Sequence, residues 1–139
     1  MDRPAAAAYR HFVPITTRWM DNDIYGHVNN VAYYSYFDTA ANAYLIEHGL
    51  EPATAPVIGL VVESACHYHA PVAYPAALRA GLRVDKLGQR AVTYGLAIFL
   101  ATADTAVAHG HFVHVFVDRA TRTPTPIPPH LRAALERLG

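Results

Sequence analysis

The sequence predicts an α+β fold in which one long central helix is wrapped by a curved, five- to six-stranded antiparallel sheet. Residues 31–49 contain no proline and close on Gly49, so they read as one uninterrupted helix. That helix is apolar over most of its circumference, and such a helix is normally enclosed rather than laid on a surface. One β-prone run precedes it and four follow. In a chain of 139 residues a helix can be enclosed only if the sheet bends around it.

The first strand is residues 12–19, which carry Phe, Val, Ile, Thr and Trp and stop at the turn-forming cluster Asp21, Asn22 and Asp23. The helix starts from Asn29 or Asn30, either a good N-cap, and runs about five turns to Gly49, a typical C′ residue. Tyr33, Phe37, Ala40 and Tyr44 recur on one side of it, and Val31, Tyr34, Ala41 and Leu45 on a neighbouring one. Four strands follow, at 57–68, 77–87, 91–100 and 105–117, separated by Pro71, Pro75, Gly88 and the polar Thr102 to Asp104 stretch. The last strand is nearly free of polar side chains on both faces, so one face is expected against the helix and the other against another subunit. Proline-rich residues 123–129 cannot continue a ladder, and the chain closes on a short helix begun at Pro129.

Composition narrows the function. Hydrophobic residues make up 53% and charged ones 16%, which demands a folded core, and the length suits one domain over 1–139. Eleven basic and eleven acidic residues cancel, so no basic field holds a nucleic acid or an anionic membrane. The near-zero charge is compatible with self-association. One cysteine, Cys66, excludes an internal disulfide and a multi-cysteine zinc site, and is expected to be a small buried hydrophobe. No stretch has the character of a signal peptide or the roughly 20 apolar residues of a bilayer span, so a cytoplasmic protein is expected. The nine histidines include His67 and His69, then His109, His111 and His114, but no cysteine or carboxylate stands at a familiar ligand spacing, and no metal is expected.

The chemistry concentrates in Arg18 to Asn30, where carboxylates, a glycine, a histidine and two asparagines meet at a strand-to-helix junction. The free N–H groups of a helix's first turn and the positive end of its dipole can polarise a carbonyl and hold the oxyanion that forms on it. Gly26 lets the backbone approach closely, and a nearby carboxylate can attack the carbonyl or deprotonate a water that does. Thioesters suit such a site because thiolate leaves without a strong general acid.

The stretch DNDIYGHVNNVAYYSYFDTA, residues 21–40, resembles the signature of the 4-hydroxybenzoyl-CoA thioesterase family of hotdog-fold proteins, and the likeness continues through HYHAPVAYP, DKLGQRAVTYGLAIF and the last strand. The resemblance implies an acyl-CoA thioesterase, a hydrolase that needs no cofactor, coenzyme A being part of the substrate, and that assembles as a homodimer or homotetramer. It puts the catalytic carboxylate on Asp23 and the carbonyl-polarising amides around Gly26, His27 and Val28. Asn29 and Asn30 would cap the helix and line the pocket, and Asp38 stands where a related branch keeps a helix carboxylate. Tyr33, Tyr34, Phe37 and Tyr68 would contact the acyl group. Lys86 and Arg90, in one turn, and Arg119 and Arg122, after the last strand, would meet the CoA phosphates, a task that suits bidentate guanidinium groups. Ala91 departs from the family's usual polar residue there.

Two other readings share the fold. A 3-hydroxyacyl-thioester dehydratase or hydratase would use His27 and Asp38 across a dimer, and a non-catalytic acyl-CoA binding module would need no base at all.

Overall fold

A computed structural model describes residues 2–139. Strand β1 (His11–Thr16) is followed by helix α1 (Asn30–Glu47), then β2 (Val57–Tyr68), β3 (Ala77–Leu87), β4 (Ala91–Leu100), β5 (Ala108–Asp118) and helix α2 (Pro129–Glu136). The five strands form one antiparallel sheet in the order β1-β3-β4-β5-β2. It curves round α1 in the hotdog arrangement.

The helix forms where the sequence signals it. The Asn29 side chain accepts from the Val31 N–H at 3.1 Å and caps the first turn. Gly49, with φ at 104°, takes the left-handed conformation that ends α1, and the Leu50 N–H closes back on the Leu45 carbonyl. Tyr33, Phe37, Ala40, Ala41, Tyr44 and Leu45 are buried against β4 and β5 residues such as Tyr94, Leu96, Ile98, Phe112 and Phe116. Val31, expected in an enclosed row, is instead 67% exposed, whereas Tyr33 in the same first turn faces the core. Helix α2 caps the open end of the core with Leu131, Ala134 and Leu135, while the Tyr44 hydroxyl donates to the Ala134 carbonyl at 2.6 Å.

The sheet's outer face is partly covered by the chain's own N-terminal arm. Tyr9 and Phe12 pack edge-on against Phe99, and the guanidinium groups of Arg79 and Arg83 lie over the Phe12 and Tyr9 rings at 4.5 and 4.8 Å.

Two boundaries differ from the sequence reading. β1 stops at Thr16, and Trp19–Asp21 form a 3-10 turn in which the Asp21 carboxylate accepts from the Arg18 N–H. β5 begins at Ala108 rather than 105, because Thr105 and Ala106 pair with the N-terminal arm, at Ala5 and the Pro4 carbonyl.

The architecture gives the sheet two distinct ends. One gathers the N-terminus of α1, the close of β2 and the start of β3. The opposite end gathers the C-terminus of α1, the start of β2, the β3–β4 turn and the exit of β5.

Candidate active site

The loop between β1 and α1 is a narrow-necked turn. The Asn29 N–H donates to the Asp21 carbonyl at 2.8 Å, Asn22 and Val28 form a bridge, and the Asp23 N–H donates to the His27 carbonyl at 3.0 Å. Gly26, with φ at 88°, makes the reversal possible, and its own N–H returns to the Asp23 carbonyl. The neck is anchored to the segment after β2 through the Val28 N–H on the Val72 carbonyl and the Tyr74 N–H on Asn22 Oδ1.

Asp23 is half-buried at the base of this turn, and one carboxylate oxygen accepts from the Tyr25 N–H at 2.9 Å. That bond fixes the side chain against the turn and leaves the second oxygen without a protein donor among the described residues. The amides divide sharply. Those of Gly26, Val28 and Asn29 are spent within the protein, whereas those of His27 and Asn30 have no protein acceptor among the described residues. Asn30 opens α1, so its N–H carries the positive end of the helix dipole.

His27, Val28 and Asn30 form one wall of a cleft of about 270 Å³ whose other walls include Tyr33, Tyr68 and His69. The Tyr68 hydroxyl donates to the Asn30 carbonyl at 2.9 Å, and its ring meets Tyr33 edge-on. Burial pushes the Tyr33 hydroxyl up to about 12 and the nearby Cys66 thiol up to about 11, so both are protonated at neutral pH. Asp23 stands beside this cleft, one hydrogen bond from His27, rather than in its wall.

The remaining expected residues scatter. Phe37 is fully enclosed in the core, and Tyr34 packs on it edge-on. Asp38 faces solvent two turns into α1, where it accepts from Asn42 at 2.9 Å. Lys86, Arg90, Arg119 and Arg122 all lie at the opposite end of the sheet. The run of β3 from Ala77 to Lys86 spans roughly 30 Å at about 3.3 Å per residue. The Arg119 guanidinium is engaged there by the Ala55 and Pro52 carbonyls.

His109 and His111 of β5 find separate partners, just after β2 and on it. His69 Nε2 and His109 Nδ1 are 2.7 Å apart with stacked rings, and burial together with neighbouring positive charge lowers both below the usual range. His111 bonds Glu63 at 2.8 Å. Among the described residues no group of three or more His, Cys, Asp or Glu side chains is placed to hold a metal ion, and no helix is long and apolar enough to cross a membrane.

Sequence reasoning missed Asp21. It is 3% exposed and is held by Arg18 and by the Tyr36 hydroxyl. Its only signal was Tyr36, a hydroxyl on a buried helix face that needs a partner.

Comparison with known proteins places this geometry. A solved protein of Pseudomonas aeruginosa strain PAO1 superposes with a TM-score of 0.97 at 57% identity, over 98% of this chain and 96% of its own. A second Pseudomonas aeruginosa protein matches at 0.83 and 31% identity, covering 90% and 97%. The 1,4-dihydroxy-2-naphthoyl-CoA thioesterase of Synechocystis shares the fold at 0.80 and 16% identity, covering 89% and 93%. No relative was found among curated proteins. The model of the thioesterase-like superfamily matches residues 17–135, from the exit of β1 through α2, and the chain belongs to that superfamily.

Proposed function

We propose that the protein hydrolyses an acyl-CoA thioester to the free carboxylic acid and CoA, with Asp23 as base or nucleophile. The observation that carries this reading is the Asp23 turn itself. A carboxylate with one unoccupied oxygen sits on the same turn as the undonated His27 N–H and next to the undonated Asn30 N–H.

The chemistry follows from that placement. The two amides receive the thioester oxygen, which gains negative charge as the carbonyl carbon becomes tetrahedral. Asp23 takes a proton from water as the hydroxide adds to that carbon; alternatively its free oxygen adds directly and gives an anhydride that water then opens. In either case the C–S bond breaks and the electron pair leaves on sulfur as the CoA thiolate. No cofactor is required.

The acyl group lies in the cleft bounded by Tyr33, Tyr68 and Val28. The CoA phosphates cannot reach the cations of the same protomer, because the sheet is longer than the pantetheine arm that joins sulfur to phosphate. A second copy resolves this. β2 is an edge strand with Leu60, Val61 and Val62 exposed, an unpaired ladder of the kind that another chain covers. Two-fold antiparallel pairing of β2 with its copy would put the start of one strand beside the end of the other, and so the partner's Lys86 and Arg90 beside this chain's Asp23 loop. The same contact would cover the loop's exposed apolar collar, Trp19, Ile24 and Tyr25.

The test is thiol release from a panel of short, branched, aromatic and long acyl-CoAs. Asp23→Asn, folded by circular dichroism, should lose at least about 100-fold in kcat, the lower range for a catalytic acid-base group. Near wild-type turnover in that variant would defeat the reading. Solvent oxygen isotope appearing in Asp23 during a single turnover would identify it as nucleophile, and its absence as base.

A further inference from the structure

We infer that Asp21 is the positioning residue for Asp23, and that its tie to Tyr36 sets the register between the catalytic turn and the N-terminus of α1. This rests on the reading of Asp23 given above.

The geometry is specific. Asp21 Oδ2 accepts from the Tyr36 hydroxyl at 2.7 Å and from the Arg18 N–H at 2.9 Å, while Oδ1 accepts from Arg18 Nε at 3.1 Å and forms an ion pair with Nη2 at 3.0 Å. Each carboxylate oxygen is therefore spoken for, and none is left to meet a substrate. The backbone of the same residue forms the first rung of the loop's neck, through its carbonyl on the Asn29 N–H. Asp21 thus ties three points together: the exit of β1 by Arg18, the second turn of α1 by Tyr36, and the cap of that helix by Asn29. Two residues on, with only the Asn22–Val28 bridge between, comes Asp23.

A buried carboxylate is costly unless its hydrogen bonds are complete. Burial works to raise the Asp21 pKa, but the bonds from Tyr36 and Arg18 outweigh it and hold the group below the usual carboxylate value. It stays ionised at neutral pH, so the tie does not loosen there. The neck's backbone bonds and its anchor on the segment after β2 hold the loop at its base. The Tyr36 bond adds a tie from the loop to the second turn of α1, a rigid element. Misplacing a reacting group by about 1 Å can cost on the order of a hundredfold in rate.

The experiment compares Asp21→Asn, Tyr36→Phe, Asp23→Asn and the Asp21→Asn/Asp23→Asn double variant, each checked for native circular dichroism. Asp21→Asn should lower kcat by about tenfold to a hundredfold with KM within about twofold of wild type, the signature of an interaction realised only in the transition state. Tyr36→Phe, which removes one hydroxyl and nothing else, should lower kcat in the same direction. The double variant should be no slower than Asp23→Asn alone, because a positioning residue acts only through the group it positions. Wild-type kcat in folded Tyr36→Phe together with folded Asp21→Asn overturns the inference while leaving Asp23 in place. If Asp21→Asn does not fold, wild-type kcat in Tyr36→Phe alone overturns it. A fully active Asp23→Asn overturns both this inference and the hydrolase reading.

Discussion

His114 shows how one residue carries an environment into a measurable property. It is 1% exposed, sits 3.0 Å from the Tyr94 hydroxyl and is ringed by Phe112 and Phe116. Desolvation drops its pKa to about 4, so the folded protein holds it neutral where the unfolded chain, titrating near 6.5, already binds a proton. Between those values the unfolded state binds more protons, and stability therefore rises with pH through this window and falls on acidification. The full difference corresponds to about 3 kcal/mol, complete only near pH 4. Denaturant unfolding at pH 7 and pH 4.5 should show most of that loss. His114→Gln, which keeps a partner for Tyr94, should flatten the slope. At this scale the sequence was partly readable: the Gly26 reversal and the Asn29 cap declare themselves because each is local to one turn. Asp21 did not, since its meaning depends on Tyr36, fifteen residues away along the chain and one helical face distant.

Elements follow their punctuation. The bounds expected for β2, β3 and β4 coincide with those observed because Pro71, Pro75, Gly88 and the Thr102 to Asp104 stretch interrupt the ladder whatever the tertiary context. The ends of β1 and β5 were misjudged because they are decided by distant partners: the Arg18 and Asp21 pair ends the first, and the N-terminal arm takes the residues expected to start the last. Gly110 is a different kind of element signal. A Cβ built on it would lie 1.8 Å from the Ala65 carbonyl oxygen, inside the β2–β5 pairing, and backbone cannot yield there as a flexible side chain could. Gly110→Ala should therefore prise β2 from β5 and destabilise the protein by at least about 2 kcal/mol, the range of a severe core lesion. Hydrogen exchange should locate the loss in those two strands, whereas an equal loss spread over β1 and β3 would contradict the explanation.

At the scale of the molecule, the Asp23 loop lies at one end of the sheet and Lys86, Arg90, Arg119 and Arg122 at the other, an arrangement that no reading of local spacing could have shown. The resemblance grouped Lys86 and Arg90 with the Asp23 loop; β3 starts beside that loop, but the strand's own length carries the two residues away from it.

That separation has a genetic consequence. Suppose that, in the proposed two-fold dimer, one gene copy encodes Asp23→Asn and another encodes Lys86→Glu/Arg90→Glu, so that each homodimer is idle for its own reason. Co-expression gives hybrids in which one of the two clefts inherits both lesions and the other inherits neither. With random assortment, about a quarter of the clefts regain full function, as two-fold symmetry requires. If each protomer instead served itself, every cleft would carry a lesion and the mixture would stay silent. Two broken alleles that restore each other would thus report, without any crystallography, that the protein works by lending its ends to a twin.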